Sequence, residues 1–367
     1  MERMVFGSAA ERSMFLEAQN KHIPINGSIE LLPLCNMNCD MCYVRLSPEE
    51  MRQKGRMRTA DEWLALAQEM KRAGTLFLLL TGGEPLIYPD FRHLYLALRD
   101  MGMILTINTN ATLIDEEWAA FFGKHKPRRV NVTLYGADEE TYANLCHYPG
   151  GFEKTLRGVR LLRQNGVDVR LGFSVTKANA LQLDRLHEIA AELDAAVNVD
   201  PYMLPATRER EKPFAGQARL LPEDAGRIQI DAVRRKMAGQ DFKEHARLVL
   251  AALEQIAQGP RQDACMHCLA GRCSFTINWQ GKMRPCVILG EPEANVFEMG
   301  FAAAWDDIRR SVSEIRTSEA CAACALRPIC QTCAASALYE TGSFDGKPEY
   351  LCRMSMEMIR LFQEAAK

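Results

Sequence analysis

The chain carries almost no net charge: 45 basic residues stand against 47 acidic ones, a formal balance of -2. A protein that grips a phosphate backbone carries a basic excess, so nucleic acid is excluded as the main partner. Long apolar runs are missing too. No run, that at 76–80 included, approaches the roughly 20 residues that cross a bilayer, so no membrane partner is expected. The opening stretch MERMVFGSAAERSMF scatters charges where a secretory signal needs a continuous apolar segment, and a cytoplasmic location is expected. Cysteine is scarce in the middle of the chain, where Cys146 stands alone between 43 and 264. The ends compensate, bringing the total to thirteen, an odd number. A reducing compartment disfavours a disulfide framework, which leaves metal binding and redox chemistry.

The 47% hydrophobic and 25% charged content is that of a globular protein and excludes disorder or a collagen-like order. A length of 367 residues fits two domains. The cysteine-poor region reads as strands alternating with helices. Apolar segments predict strands at 28–32, 76–81, 103–108, 130–135, 169–175 and 196–199. The run LFLLLT within 76–81 is continuous, as expected of a strand buried on both faces. Helices are predicted at 59–73, 91–101, 115–122, 152–164 and 181–193. The first has a Thr59/Glu62 capping box, the apolar residues Trp63, Leu66, Ala67 and Met70 at helical spacing, and Gly74 as a stop. Right-handed crossovers then give a parallel sheet. Six units are too few for a closed eight-stranded barrel, so the expected fold is α/β, an open partial (β/α)6 TIM-like barrel. The expected divisions are an N-terminal extension (1–24), the barrel (25–227), a helical linker (228–260) and a cysteine-rich domain (261–367).

Cys35, Cys39 and Cys42 are spaced C-x3-C-x2-C directly after the first strand. Three thiolates on one short loop can hold three irons of a 4Fe-4S cluster and leave the fourth open, since the usual set is four cysteines. A zinc site or three structural thiols are the other readings; structural zinc wants four ligands in spaced pairs. The second strand ends in Thr81-Gly82-Gly83-Glu84-Pro85, and two glycines there allow close backbone approach to a ligand.

Together, CNMNCDMCY with Tyr43 after the third cysteine, the GGEP segment and the strand–helix alternation resemble the radical S-adenosylmethionine (SAM) superfamily. The resemblance implies that Cys35, Cys39 and Cys42 hold a cluster whose open iron binds SAM. One electron then cleaves SAM to methionine and a 5′-deoxyadenosyl radical, which takes a hydrogen atom from the substrate. It also implies SAM contacts by Gly82, Gly83 and Glu84 at the methionine amino group, and by Tyr43 near the adenine. Further contacts are implied at Asn110, beside Thr109 in NTNAT, and at Thr133 in TLYG. Ala111 stands where the family often has glycine, and Tyr135 where it often has an acidic residue. The plain alternative is strand-end polar residues satisfying local backbone.

The C-terminal cysteines, taken alone, are also consistent with a zinc ribbon. With the barrel in place they resemble the SPASM domain of radical SAM enzymes. Cys268, Gly281 and Cys286, then Cys321, Cys324, Cys330, Cys333 and Cys352 follow its pattern, with the Cys330–Cys333 spacing one residue short. The resemblance implies two auxiliary 4Fe-4S clusters, one held by Cys268, Cys273, Cys286 and Cys333, the other by Cys321, Cys324, Cys330 and Cys352. Cys265 also satisfies the pattern as an alternative first ligand. Cys146 is expected either to donate a hydrogen atom to a substrate radical, with His147 beside it, or to be a small buried hydrophobe.

Relatives of this kind usually modify ribosomally made peptides or proteins, and some act on small metabolites. Sulfatase-maturing members have an aspartate after the residue equivalent to Cys286; Val287 here disfavours that activity. The stretch before the first cysteine is too short for a peptide-recognition domain, so a separate leader-peptide recognition protein is a candidate partner. A flavodoxin or ferredoxin is the expected reductant. Asp200, Tyr202 and Arg208, after the last strand, are candidates to grip a substrate carboxylate or backbone, against the alternative of a solvated charge run. The remaining alternative is no enzyme at all, but an iron–sulfur electron carrier or a zinc-stabilised binding module.

Overall fold

The computed structural model describes residues 8–204, 218–237, 241–258, 264–266, 268–330 and 332–367. Six parallel strands form its frame: β1 (Asn26–Glu30), β2 (Phe77–Thr81), β3 (Ile104–Thr109), β4 (Arg129–Thr133), β5 (Val169–Ser174) and β6 (Ala196–Asp200). Each lies beside its predecessor, in the order β6-β5-β4-β3-β2-β1. Every predicted strand is present, with ends shifted by at most two residues. The helices between them cover one face. Ala60–Arg72 is capped by Thr59 with the full Thr59/Glu62 box and buries Trp63, Leu66, Ala67 and Met70. Phe91, Tyr95 and Phe122 form an aromatic cluster with ring centroids 5.7 to 6.4 Å apart.

Three differences from the expected layout bear on the site. The sheet does not end at β1: β7 (Ser274–Ile277) pairs with β1 in parallel, aligning Asn26 with Ser274, and β8 (Lys282–Arg284) and β9 (Ala294–Asn295) extend it antiparallel. The cysteine-rich region thus shares one nine-stranded sheet with the barrel. The stretch read as a linker begins earlier, as helix Pro222–Lys236, and continues as Phe242–Gln258. Both pack on the terminal helix Glu349–Ala366, through Arg227–Glu357 at 3.0 Å and stacking of Phe242 on Phe362. Helix Glu139–Cys146 was overlooked, although Asp138 caps it by accepting from the Thr141 N–H.

Among the described residues, no helix is long and apolar enough to cross a membrane.

Candidate active site

The carboxyl ends of β1 and β2 are joined backbone to backbone. Leu31 N–H donates to Thr81 O (2.9 Å), Gly83 N–H to Leu32 O (2.7 Å) and Glu84 N–H to Leu34 O (2.9 Å). A Cβ on Gly82 would lie 2.5 Å from Leu32 O, and one on Gly83 2.2 Å from Leu34 O. The glycine pair is therefore required by the chain's own loop, a nearer cause than the ligand approach read from sequence. This pairing fixes the start of the cysteine loop.

On that loop, Met37 N–H points at Cys35 Sγ and Arg45 N–H at Cys42 Sγ, each at 3.3 Å. Asn110 Nδ2 donates to Cys35 Sγ (3.7 Å) and to Asn36 Oδ1 (2.8 Å). Burial pushes the Cys35 thiol up to about 12, with Cys39 and Cys42 close enough to add to the shift. A bound cation reverses this cost and deprotonates such thiols. Among the described residues no three His, Cys, Asp or Glu side chains converge on one metal ion. A cubane does not ask for that, because each thiolate takes a different iron. The donor set, three thiols with amide N–H groups aimed at two of the sulfurs, fits such a cluster.

Glu84 is wholly buried. Its carboxylate accepts from Thr109 Oγ1 (2.7 Å), Asn110 N–H (2.8 Å) and Leu86 N–H (3.1 Å), clamping the end of β2 to the end of β3. Asn110, at the next position, reaches the cysteine loop. Ala111 keeps the left-handed turn expected of glycine, at φ 60°. Burial outweighs the three donors and pushes the Glu84 carboxyl up from 4.5 to about 7. The fold therefore holds this proton more tightly than the unfolded chain does. The contribution of this group is full below pH 4.5 and is lost as pH rises through 7. Glu84→Gln removes the titration. Relative to the native protein it is expected to gain about 3 kcal/mol between those limits, measured by urea denaturation at several pH values. A stability difference that stays flat with pH would refute the assignment.

Thr133 ends β4, and Tyr135 follows it. The Tyr135 hydroxyl and the Cys146 thiol both hydrogen-bond Cys39; with Cys146 as the leading cause and burial next, the Cys39 thiol is pushed well up. Cys146 is 0% exposed. The end of its helix carries the cysteine loop: Asn38 N–H donates to Cys146 O and Asp40 N–H to Leu145 O, both at 2.9 Å. His147 Nε2 meets Asp40 Oδ1 at 2.7 Å. Cys146 is enclosed beneath the loop, its thiol against that of Cys39.

Asp200 closes β6 and accepts from Tyr202 N–H (3.1 Å). Tyr202 is buried and committed elsewhere than to a rim. Its hydroxyl donates to Glu340 Oε1 (3.0 Å), and its ring lies 5.6 Å from that of Tyr350. Arg219 pairs with Glu340 (Nη1 to Oε2, 3.2 Å) and lies 3.5 Å from the centre of the Tyr350 ring. This group ties the end of β6 to helices Ala334–Thr341 and Glu349–Ala366. Arg219 and Glu340 carried no motif in the sequence. Arg208 lies outside the described residues.

A cleft of about 300 Å³ in the C-terminal region is lined by Cys265, Cys268, Cys321, Cys324, Cys330, Cys333 and Cys352. Burial, reinforced by Cys286 and Cys333, pushes Cys268 up to about 12. Cys321 neighbours Cys324 and Cys330, and Cys352 neighbours Cys330 and Cys321. Amide N–H groups of Leu289 and Ser336 point at Cys286 and Cys333 (both 3.4 Å). Cys273 does not join them. It is 0% exposed and belongs to an apolar cluster with Phe15, Ala18, Ile25 and Phe77.

Residues 29–179 match the family model described as Radical SAM superfamily. The chain is 28% identical over 335 residues to the AdoMet-dependent heme synthase of Methanosarcina barkeri, covering 86% of this chain and 92% of that one. It is 25% identical over 273 residues to the PqqA peptide cyclase of Rhodopseudomonas palustris, covering 73% and 68%. Among solved structures it is similar to Streptococcus suis SuiB bound to precursor peptide SuiA, with TM-score 0.66, 18% identity and coverage of 96% and 83%. That likeness is one of fold.

Proposed function

Because the chain belongs to the radical SAM superfamily, an enzyme superfamily whose members bind a 4Fe-4S cluster and S-adenosylmethionine, we propose that it takes a hydrogen atom from a ribosomally made peptide or protein, leading to a crosslink, a thioether or an inverted stereocentre. The observation that carries the radical chemistry is the three-thiol loop at the carboxyl end of β1, pinned by the ends of β2 and β3. Cluster and SAM together supply a 5′-deoxyadenosyl radical when bound; the protein supplies position and a dry site. Cys35, Cys39 and Cys42 hold three irons. Tyr43, Asn110, Thr133 and the backbone of Gly82, Gly83 and Glu84 would hold SAM. Asp200, at the open end of β6, is the best-placed substrate contact. The C-terminal cysteines would hold two further clusters, and a flavodoxin- or ferredoxin-like partner would supply the electron.

The peptide substrate is supported by similarity to PqqA peptide cyclase over most of the chain. A small metabolite is the second reading, favoured by similarity to the heme synthase over nearly its whole length. Anaerobic incubation of the reduced protein with SAM separates them. The peptide reading expects a mass change in a deuterated precursor peptide encoded beside the gene, with deuterium transferred to 5′-deoxyadenosine. Formation of heme from an iron porphyrin supplied in its place, with the peptide untouched, would establish the second reading and sink the first.

A further inference from the structure

We propose that Cys265, and not Cys273, is the fourth protein ligand of the cluster site formed by Cys268, Cys286 and Cys333. This rests on the reading that the C-terminal cysteines hold two clusters.

Cys265 and Cys268 line the same cleft as Cys333. The backbone at Cys265 is fixed there by a bridge to Arg316 and by the Thr317 N–H, which donates to Ala264 O at 2.7 Å. Between Cys268 and Cys273 the chain makes a tight turn. Cys273 N–H donates to Leu269 O (2.9 Å), Gly271 N–H donates to Ser274 O (2.9 Å), and Gly271 sits at φ 67°. The turn carries the chain from the cleft wall to the root of β7, so that Cys268 and Cys273 end in different surroundings. At Cys273 these are Phe15, Ala18, Ile25 and Phe77, and its carbonyl accepts from Asn26 N–H (3.2 Å) at the start of β1. Bringing this sulfur to the cleft would dismantle that small core and the first rung between β1 and β7. Cys265 already lines the cleft. The pair Cys265–Cys268 then acts as a C-x2-C clip, a spacing common in protein-held clusters. The two four-thiol sets become Cys265, Cys268, Cys286 and Cys333, and Cys321, Cys324, Cys330 and Cys352. Cys146 and Cys273 remain as packed thiols.

The test uses the full-length protein reconstituted without oxygen, with iron and sulfide counted per chain and electron paramagnetic resonance spectra recorded. Cys265→Ala is expected to lose about four of about twelve irons, or to keep about eleven and show a three-iron signal. Cys273→Val, which conserves volume, is expected to keep the native count and spectra, and Cys273→Ala is a second probe should valine not fold by circular dichroism. Full iron and unchanged spectra in Cys265→Ala would overturn the assignment, as would loss of a cluster from a folded Cys273 variant. A native protein with no C-terminal iron would overturn the two-cluster reading itself, and the assignment with it.

Discussion

Replacing Cys35, Cys39 and Cys42 together by Ala is expected to lower the iron content from about twelve to about eight per chain and to abolish SAM cleavage. Both readouts matter. Loss of activity alone would follow from any damage to the barrel. A loss of four irons with eight retained places one cluster on the first loop and two in the C-terminal region. The fold has reason to survive the change. The loop is anchored by backbone bonds of Leu31, Gly83 and Glu84 and by the helix end at Leu145–Cys146, none of which needs the three thiols. Anaerobic reconstitution, iron and sulfide analysis, and chromatography of 5′-deoxyadenosine check the prediction. A variant that keeps twelve irons would refute it. A native count near eight would mean that one C-terminal site is not a four-iron cluster.

The second large effect concerns stability. Glu340 and Arg219 are both nearly buried, and Tyr202 and Tyr350 enclose the guanidinium. Glu340→Ala strands a buried positive charge and is expected to cost about 3–5 kcal/mol. Replacing both partners by apolar residues, as in Arg219→Met with Glu340→Leu, is expected to recover most of that loss, because neither charge is then left unpaired. Guanidinium denaturation of the single and double variants measures the two values. A single variant within about 1 kcal/mol of the native protein would show the pair to be solvated.

Much of the frame could be read from local signals. The apolar runs at β2 and β3, the Thr59/Glu62 box and the glycine stops each depend on residues a few positions apart. The cysteine loop was legible for the same reason: its three ligands are neighbours in sequence. The overlooked features are non-local. Four residues, Ser274–Ile277, are too few to announce a strand, and their partner lies far upstream. Arg219 and Glu340 meet across 121 positions with nothing in the composition to pair them. Cys265 and Cys273 stand at comparable spacings from Cys268, and only the turn at Gly271 decides which one shares its cleft. Helix Glu139–Cys146 is a different case. Its Asp138 cap and acidic first turn were present in the sequence and went unread.

The pairing of β1 with β7 has a consequence for how the protein is made. β1 carries the cysteine loop at its end, yet one of its two neighbours is synthesised about 250 residues later. Until then a nascent chain can order β1 to β6 while the outer side of β1 presents unpaired N–H and C=O groups, a template for unwanted association. Contacts of such long range also close slowly. The edge strand that carries the cysteine loop therefore gains its second neighbour only after β6 has been made, and assembly of the first cluster before β7 arrives would take place on a half-exposed strand.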